Sequence, residues 1–94
     1  MAMTFPLEEE LVEVLVDEKD VHGRGLVVHN DEVNTFDHVI ETLIKVCGHE
    51  PNQAEQCTMI IHFKGKCEVK KGTYETLKPL KDGIINEGIN ATIV

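Results

Sequence analysis

The chain has 94 residues, 41% of them hydrophobic and 28% charged, and carries a formal net charge of −8. This length sets a ceiling of one domain, which would bury roughly 60–65% of its unfolded surface, and no apolar run is long enough to span a membrane. The acidity argues against nucleic-acid binding, which needs a basic face to neutralise phosphates, and leaves room for a cationic ligand.

Residues 1–20 hold seven acids, Glu8, Glu9, Glu10, Glu13, Asp17, Glu18 and Asp20, against Lys19 alone, so −6 of the charge lies there and −2 in residues 21–94. Leu7, Leu11, Val12, Leu15 and Val16 give this segment some amphipathic character, but it has no firm cap or stop. It reads as an acidic N-terminal extension over 1–23, expected to be mobile, ahead of a folded domain over 24–94. The N-terminus lacks the basic and apolar regions of a secretory signal, and its acidity disfavours a transit peptide. Three cysteines without a CxxC pair, Cys47, Cys57 and Cys67, argue against a disulfide framework and for a reducing compartment, so a cytoplasmic location is expected.

Gly23 and Gly25 bracket Arg24, and the following GLVVHN reads as a short buried strand over about 25–30. Asn34 is expected to cap a first helix, with Asp37 three residues later, and Phe36, Val39, Ile40, Leu43 and Cys47 fall on one helical stripe up to Gly48. Pro51 suits the first turn of a second helix, whose inward stripe is Ala54, Cys57, Thr58 and Ile61 and whose stop is Gly65. His62 should lie near the edge of its buried face. KCEVKK alternates as a half-buried strand; Thr73 caps a third helix carrying Leu77, Leu80, Ile84 and Ile85; and INATIV reads as a last strand after Gly88. The order β-α-α-β-α-β implies an α+β fold, three helices packed on a three-stranded, mostly antiparallel sheet.

The chemistry available to these elements is narrow. Cys47-Gly-His49 is the nearest approach to a metal pair, and structural zinc sites favour two well-spaced pairs, so no metal or cofactor is expected, and His22, His38 and His49 read as surface histidines. Cys57 and His62, five apart on one helix, are poorly placed to pair, and Cys57 reads as core. No phosphate-binding glycine loop is present. These features do not describe an enzyme.

A binding module remains. Asn30 and Asp31 stand where a buried strand ends, and together with a neutral His62 nitrogen they offer acceptors and a negative charge to an ammonium group. Phe36, Val39, Thr58 and Met59 could wall a pocket beside it. An Asx turn built by Asn30 or Asp31, with His62 as a core-edge residue, accounts for the same residues without any ligand.

HNDEVNTFDHVIETLIKVCGH, AEQCTMIIHFKGKCEV and YETLKPLKDGIINEGINATIV resemble the ClpS family, adaptors that bring N-degron substrates to the ATP-dependent Clp protease. The likeness covers roughly residues 24–94 and is most specific in the NDxxN turn at Asn30 to Asn34, in the H-x-x-G-K run at His62 to Lys66, and in their separation. The resemblance implies a non-catalytic binder of N-degron peptides and proteins whose first residue is Leu, Phe, Tyr or Trp. It carries α-amino binding to Asn30, Asp31 and His62. It carries the pocket lining to Phe36, Val39, Met59 and Ile89, and a contact with the peptide backbone to Asn34, in the place of a threonine. The implied partner is the N-terminal domain of a ClpA-type or ClpC-type unfoldase, reached with help from the N-terminal extension. Asn34 and Phe36 replace the commoner Thr and Met, and Thr58 stands where many members place Met, which implies a reshaped pocket. The runner-up is a protein-interaction domain of the ribosomal stalk C-terminal type, of similar architecture but without an amine site.

Overall fold

The computed structural model describes residues 23–94, so the acidic segment and His22 lie outside the described residues. The elements run β1 (Arg24–His29), α1 (Phe36–Cys47), α2 (Pro51–Lys64), β2 (Lys66–Gly72), α3 (Tyr74–Asn86) and β3 (Ala91–Ile93). The sheet order is β2-β1-β3 with both pairings antiparallel, so the most apolar strand is the central one. Leu26 and Val28 of β1 join Val39, Leu43, Ala54, Ile61, Leu77, Ile84, Ile89 and Ala91 in a single buried cluster that spans all three helices. The expected α+β class and element order are those observed.

Local chemistry places the boundaries. Helix α1 is capped by Thr35, whose side chain accepts from His38 N, and not by Asn34 as the sequence suggested. Both residue types cap well, but the Asn34 amide is drawn into bonds outside the helix. At its other end Gly48 takes φ +73 and donates to Ile44 O at 3.1 Å. Pro51 opens α2, where its missing N–H costs nothing, and Glu50 makes no side-chain cap. Thr73 caps α3 by accepting from Thr76 N. The last strand is shorter than the apolar run predicted, because Ile89 turns into the core ahead of β3. Of the apolar residues that α3 carries, Leu77 and Ile84 are buried and Ile85 is exposed.

The β1–β2 ladder changes register between Leu26 and Val27: Leu26 pairs with Lys70, whereas Val27 pairs with Glu68, so Val69 is one residue too many. This is a β-bulge. Its side chain is buried, and its carbonyl accepts from Nε2 of His49 at 2.7 Å. His49 therefore corrects the surface reading made from sequence: it is 4% exposed, sits just beyond α1, and serves as partner to the bulged carbonyl. Its Nδ1 is buried without a partner among the described residues. Below the bulge the shifted register runs on through Val28–Cys67 and His29–Lys66.

Candidate functional site

At the open end of β1 the ladder gains one more backbone bond, from Asn30 N to Gly65 O at 2.8 Å. Gly65, at φ +94, is the left-handed stop of α2 and donates to Ile61 O at 2.9 Å. The strand end that carries Asn30 and Asp31 is thereby fastened to the turn three residues beyond His62. Two segments more than thirty residues apart in sequence meet through one carbonyl.

Asp31 shapes the turn. Its Oδ1 accepts from the backbone N–H of Val33 and of Asn34, both at 2.8 Å, and its Oδ2 accepts from Nδ2 of Asn34 at 2.7 Å. The Asx turn anticipated as the plain explanation is therefore present, and it is Asp31 that makes it. The bond from the Asn34 backbone, joined by those from the Asn34 side chain and the Val33 backbone, favours the ionised form and holds the Asp31 carboxyl below the usual carboxylate range. A carboxylate has about four lone-pair positions, so these three bonds leave it capacity for one more donor. Asn34 also donates through Nδ2 to Gly88 O at 2.8 Å.

In contrast, neither the Asn30 carboxamide nor the His62 imidazole hydrogen-bonds to another described residue, and both residues are exposed. His62 lies further out than the helix-edge position expected for it. Its ring stands edge-on between two phenylalanines, with centroids 6.3 Å from Phe36 and 5.1 Å from Phe63. Val39, Thr58 and Ile89 are buried, while Phe36 and Met59 are 38% and 45% exposed. The residues assigned to a pocket thus divide into a buried set and a solvent-facing pair, and Phe36 leaves the core stripe on which its spacing placed it. The hydroxyl of Thr58 donates within its own helix to Ala54 O at 2.7 Å, so it presents a methyl group and no free donor.

The corner between α3 and β3 is tied to α1 and to the turn before it. Gly88 takes φ +86; the Glu87 carbonyl accepts from Nε2 of His38 at 2.9 Å, and the Glu87 carboxylate pairs with Lys45 at 2.7 Å. Sequence reasoning missed the part that Asn34, His38 and Lys45 play in holding this corner. Their partners lie 42 to 54 residues away, and nothing local signals them.

The thiols offer no activated nucleophile at two of three positions. Burial pushes Cys47 up to about 11, and burial together with the neighbouring Cys57 raises Cys67. Cys57, expected in the core, is only half-buried. Among the described residues no three His, Cys, Asp or Glu side chains are grouped to hold a metal ion, and no helix is long and apolar enough to cross a membrane.

Comparison with known proteins adds three findings. The fold is similar to that of Agrobacterium tumefaciens ClpS2 bound to L-phenylalaninamide, with a TM-score of 0.65 and 12% identity over 77% of this chain and 94% of that one. The Drosophila melanogaster E3 ubiquitin-protein ligase UBR1 is 38% identical over 66 residues, which are 70% of this chain but only 4% of the ligase. The model of the ATP-dependent Clp protease adaptor protein ClpS matches residues 23–90, from the glycine before β1 to the residue before β3, so that the NDxxN turn, the helix with His62 and the Gly88 corner all lie within it: the chain belongs to the ClpS family.

Proposed function

We propose that this chain recognises proteins by a free N-terminal amine followed by a bulky hydrophobic first side chain, Leu, Phe, Tyr or Trp, and hands them on for degradation without performing any reaction itself. The observation that carries this reading is the contrast at the strand end: Asp31 is anchored and ionised, while the Asn30 carboxamide and the His62 imidazole, near the same fastened turn, have no hydrogen-bond partner among the described residues. An ammonium has three donors and one charge. Asn30 Oδ1, the Asp31 carboxylate and a neutral His62 nitrogen would take the donors, and Asp31 would balance the charge. Protonation of His62 would remove one acceptor.

The side chain of the first residue would lie against Val39, Ile89 and Met59, with Phe36 at the mouth and the Thr58 methyl on the floor. Burying such a side chain gives about 1.5–3 kcal/mol, and each hydrogen bond to a charged amine about 1.5–3 kcal/mol before ordering costs. Micromolar affinity requires about −8 kcal/mol, which these contributions can supply. The phenylalaninamide bound to the structural relative has this chemistry, a free amine with an aromatic side chain.

Residues 24–94 would form the recognition domain, and residues 1–23 an extension used in delivery. Family membership favours docking on the N-terminal domain of a ClpA-type or ClpC-type unfoldase. The likeness to UBR1 favours a second destination, with the same recognition fold serving a ubiquitin ligase. The test of recognition is titration with Leu-first and Phe-first peptides bearing free or acetylated amines. Binding of the free form only is expected, and equal binding of both would overturn the reading. Capture by a purified unfoldase N-terminal domain, or failure of that capture, separates the two destinations.

A further inference from the structure

One side chain touches both halves of the proposed site. Asn34 is half-buried and directs its Nδ2 to Oδ2 of Asp31 at 2.7 Å and to the carbonyl of Gly88 at 2.8 Å. An amide nitrogen has two hydrogens, and here each has its own acceptor. The orientation of the amide is forced, because the flipped form would set its oxygen against a carboxylate and a carbonyl. One bond thus ends on the anion that would balance the amine, and the other on the residue next to Ile89, at the corner that His38 and Lys45 also hold through Glu87.

Resting on the reading above, we propose that Asn34 is a positioning residue that couples the amine subsite to the side-chain subsite, fixing the Asp31 carboxylate and the Ile89 wall relative to each other. The contact with the peptide backbone that the resemblance assigned to Asn34 is left to its Oδ1 alone, since both hydrogens are committed internally. The coupling needs two donors on one rigid head. A threonine at this position has a single hydroxyl hydrogen and can satisfy one partner at a time, and alanine satisfies neither. In both variants Asp31 keeps its bonds from the backbone of Val33 and Asn34, so the turn should survive.

The test uses the full chain as wild type, Asn34→Ala and Asn34→Thr, with the fold checked by amide spectra. Two quantities are measured: affinities for Leu-first and Trp-first peptides with free or acetylated amines, and the acid titration of the Asp31 carboxyl carbon by NMR. For Asn34→Ala, free-amine affinity is expected to fall about tenfold, the scale of one hydrogen bond to a charged group. The Leu-to-Trp ratio should change by about threefold or more as the Ile89 corner relaxes, and the Asp31 midpoint should rise. Asn34→Thr should recover one of the last two effects and not both. The proposal is overturned if Asn34→Ala lowers every free-amine affinity by one common factor, or if the ratio moves while the Asp31 midpoint stays fixed. If wild type itself fails to distinguish free from acetylated amines, the parent reading falls first and this one with it. Should Asn34→Ala not fold, Asn34→Thr decides: a change in one of the two readouts with the other at its wild-type value is expected, and wild-type values of both, or changes in both, overturn the proposal.

Discussion

Replacing Asp31 by Asn removes a charge and leaves the turn standing. In the native chain one carboxylate oxygen accepts two backbone N–H groups at 2.8 Å, and an asparagine carbonyl can accept the same pair. The other oxygen becomes an NH2 group facing Nδ2 of Asn34, where native geometry has a 2.7 Å bond, and it would face the substrate ammonium as well. Three donors would then meet with no acceptor among them. The expected loss is that of one charge-assisted bond, about 1.5–3 kcal/mol, or roughly 10- to 100-fold in Kd at 1.4 kcal/mol per decade. Stability should fall by about 1 kcal/mol, the worth of one ordinary hydrogen bond. Asp31→Ala should match this binding loss and add about 1 kcal/mol of instability, because it also strips the two backbone N–H groups of their acceptor. Fluorescence anisotropy with a free-amine Phe-first peptide, paired with urea denaturation, reads both quantities. Wild-type affinity in Asp31→Asn would refute the role given to the carboxylate. Equal stability of the two variants would refute the account of the turn.

Other expectations can be checked with the same assays. Because the folded chain holds the Asp31 carboxyl below its unfolded value near 3.9, this group contributes stability that is present above that pH and lost as pH falls through the lowered folded value; Asp31→Asn should flatten that limb of an acid denaturation curve. Gly65→Ala places a side chain at φ +94, so it should destabilise by about 1–2 kcal/mol and weaken peptide binding by disturbing the Asn30–Gly65 bond. Thr58→Met fills space at the proposed pocket floor and should lower affinity for Trp-first peptides more than for Leu-first ones; an unchanged ranking in a competition titration would remove Thr58 from the pocket. Cys47 should alkylate slowly at neutral pH, since a thiol raised to about 11 is almost wholly protonated; fast labelling seen by mass spectrometry would contradict its buried placement.

The legible part of this chain was written in local signals. Gly48 and Gly65 stopped helices where left-handed residues were needed, Pro51 and Thr73 opened them, and the alternation of KCEVKK gave β2. The pairing of strands, the bulge and the roles of His49, His38 and Asn34 were not legible, because each depends on a partner 20 to 67 residues away. The misplaced cap illustrates the limit. Asn34 and Thr35 are adjacent and both suit the position, and a carbonyl at Gly88 decides between them. Phe36 shows the converse: its spacing fits the apolar stripe, yet it lies at the surface beside His62. Architecture alone would also have suited a ribosomal-stalk type domain. The NDxxN turn and the H-x-x-G-K run pointed to the family, whose model matches residues 23–90.

The surplus residue at Val69 governs more than the core around it. Without the bulge, the numbering of the upper ladder would continue unchanged, and Asn30 would come to rest opposite Lys66 in place of Gly65. A side chain that faces one side of the sheet would then face the other. The choice between these alignments turns on whether the Val69 carbonyl can stand out of the ladder, and His49 supplies the donor that lets it. A histidine in the connection between α1 and α2 thus acts as a ruler for the strand end. His49→Ala should cost about 2–4 kcal/mol from the lost volume and the orphaned carbonyl, and NMR exchange between two β2 alignments would be its distinctive mark.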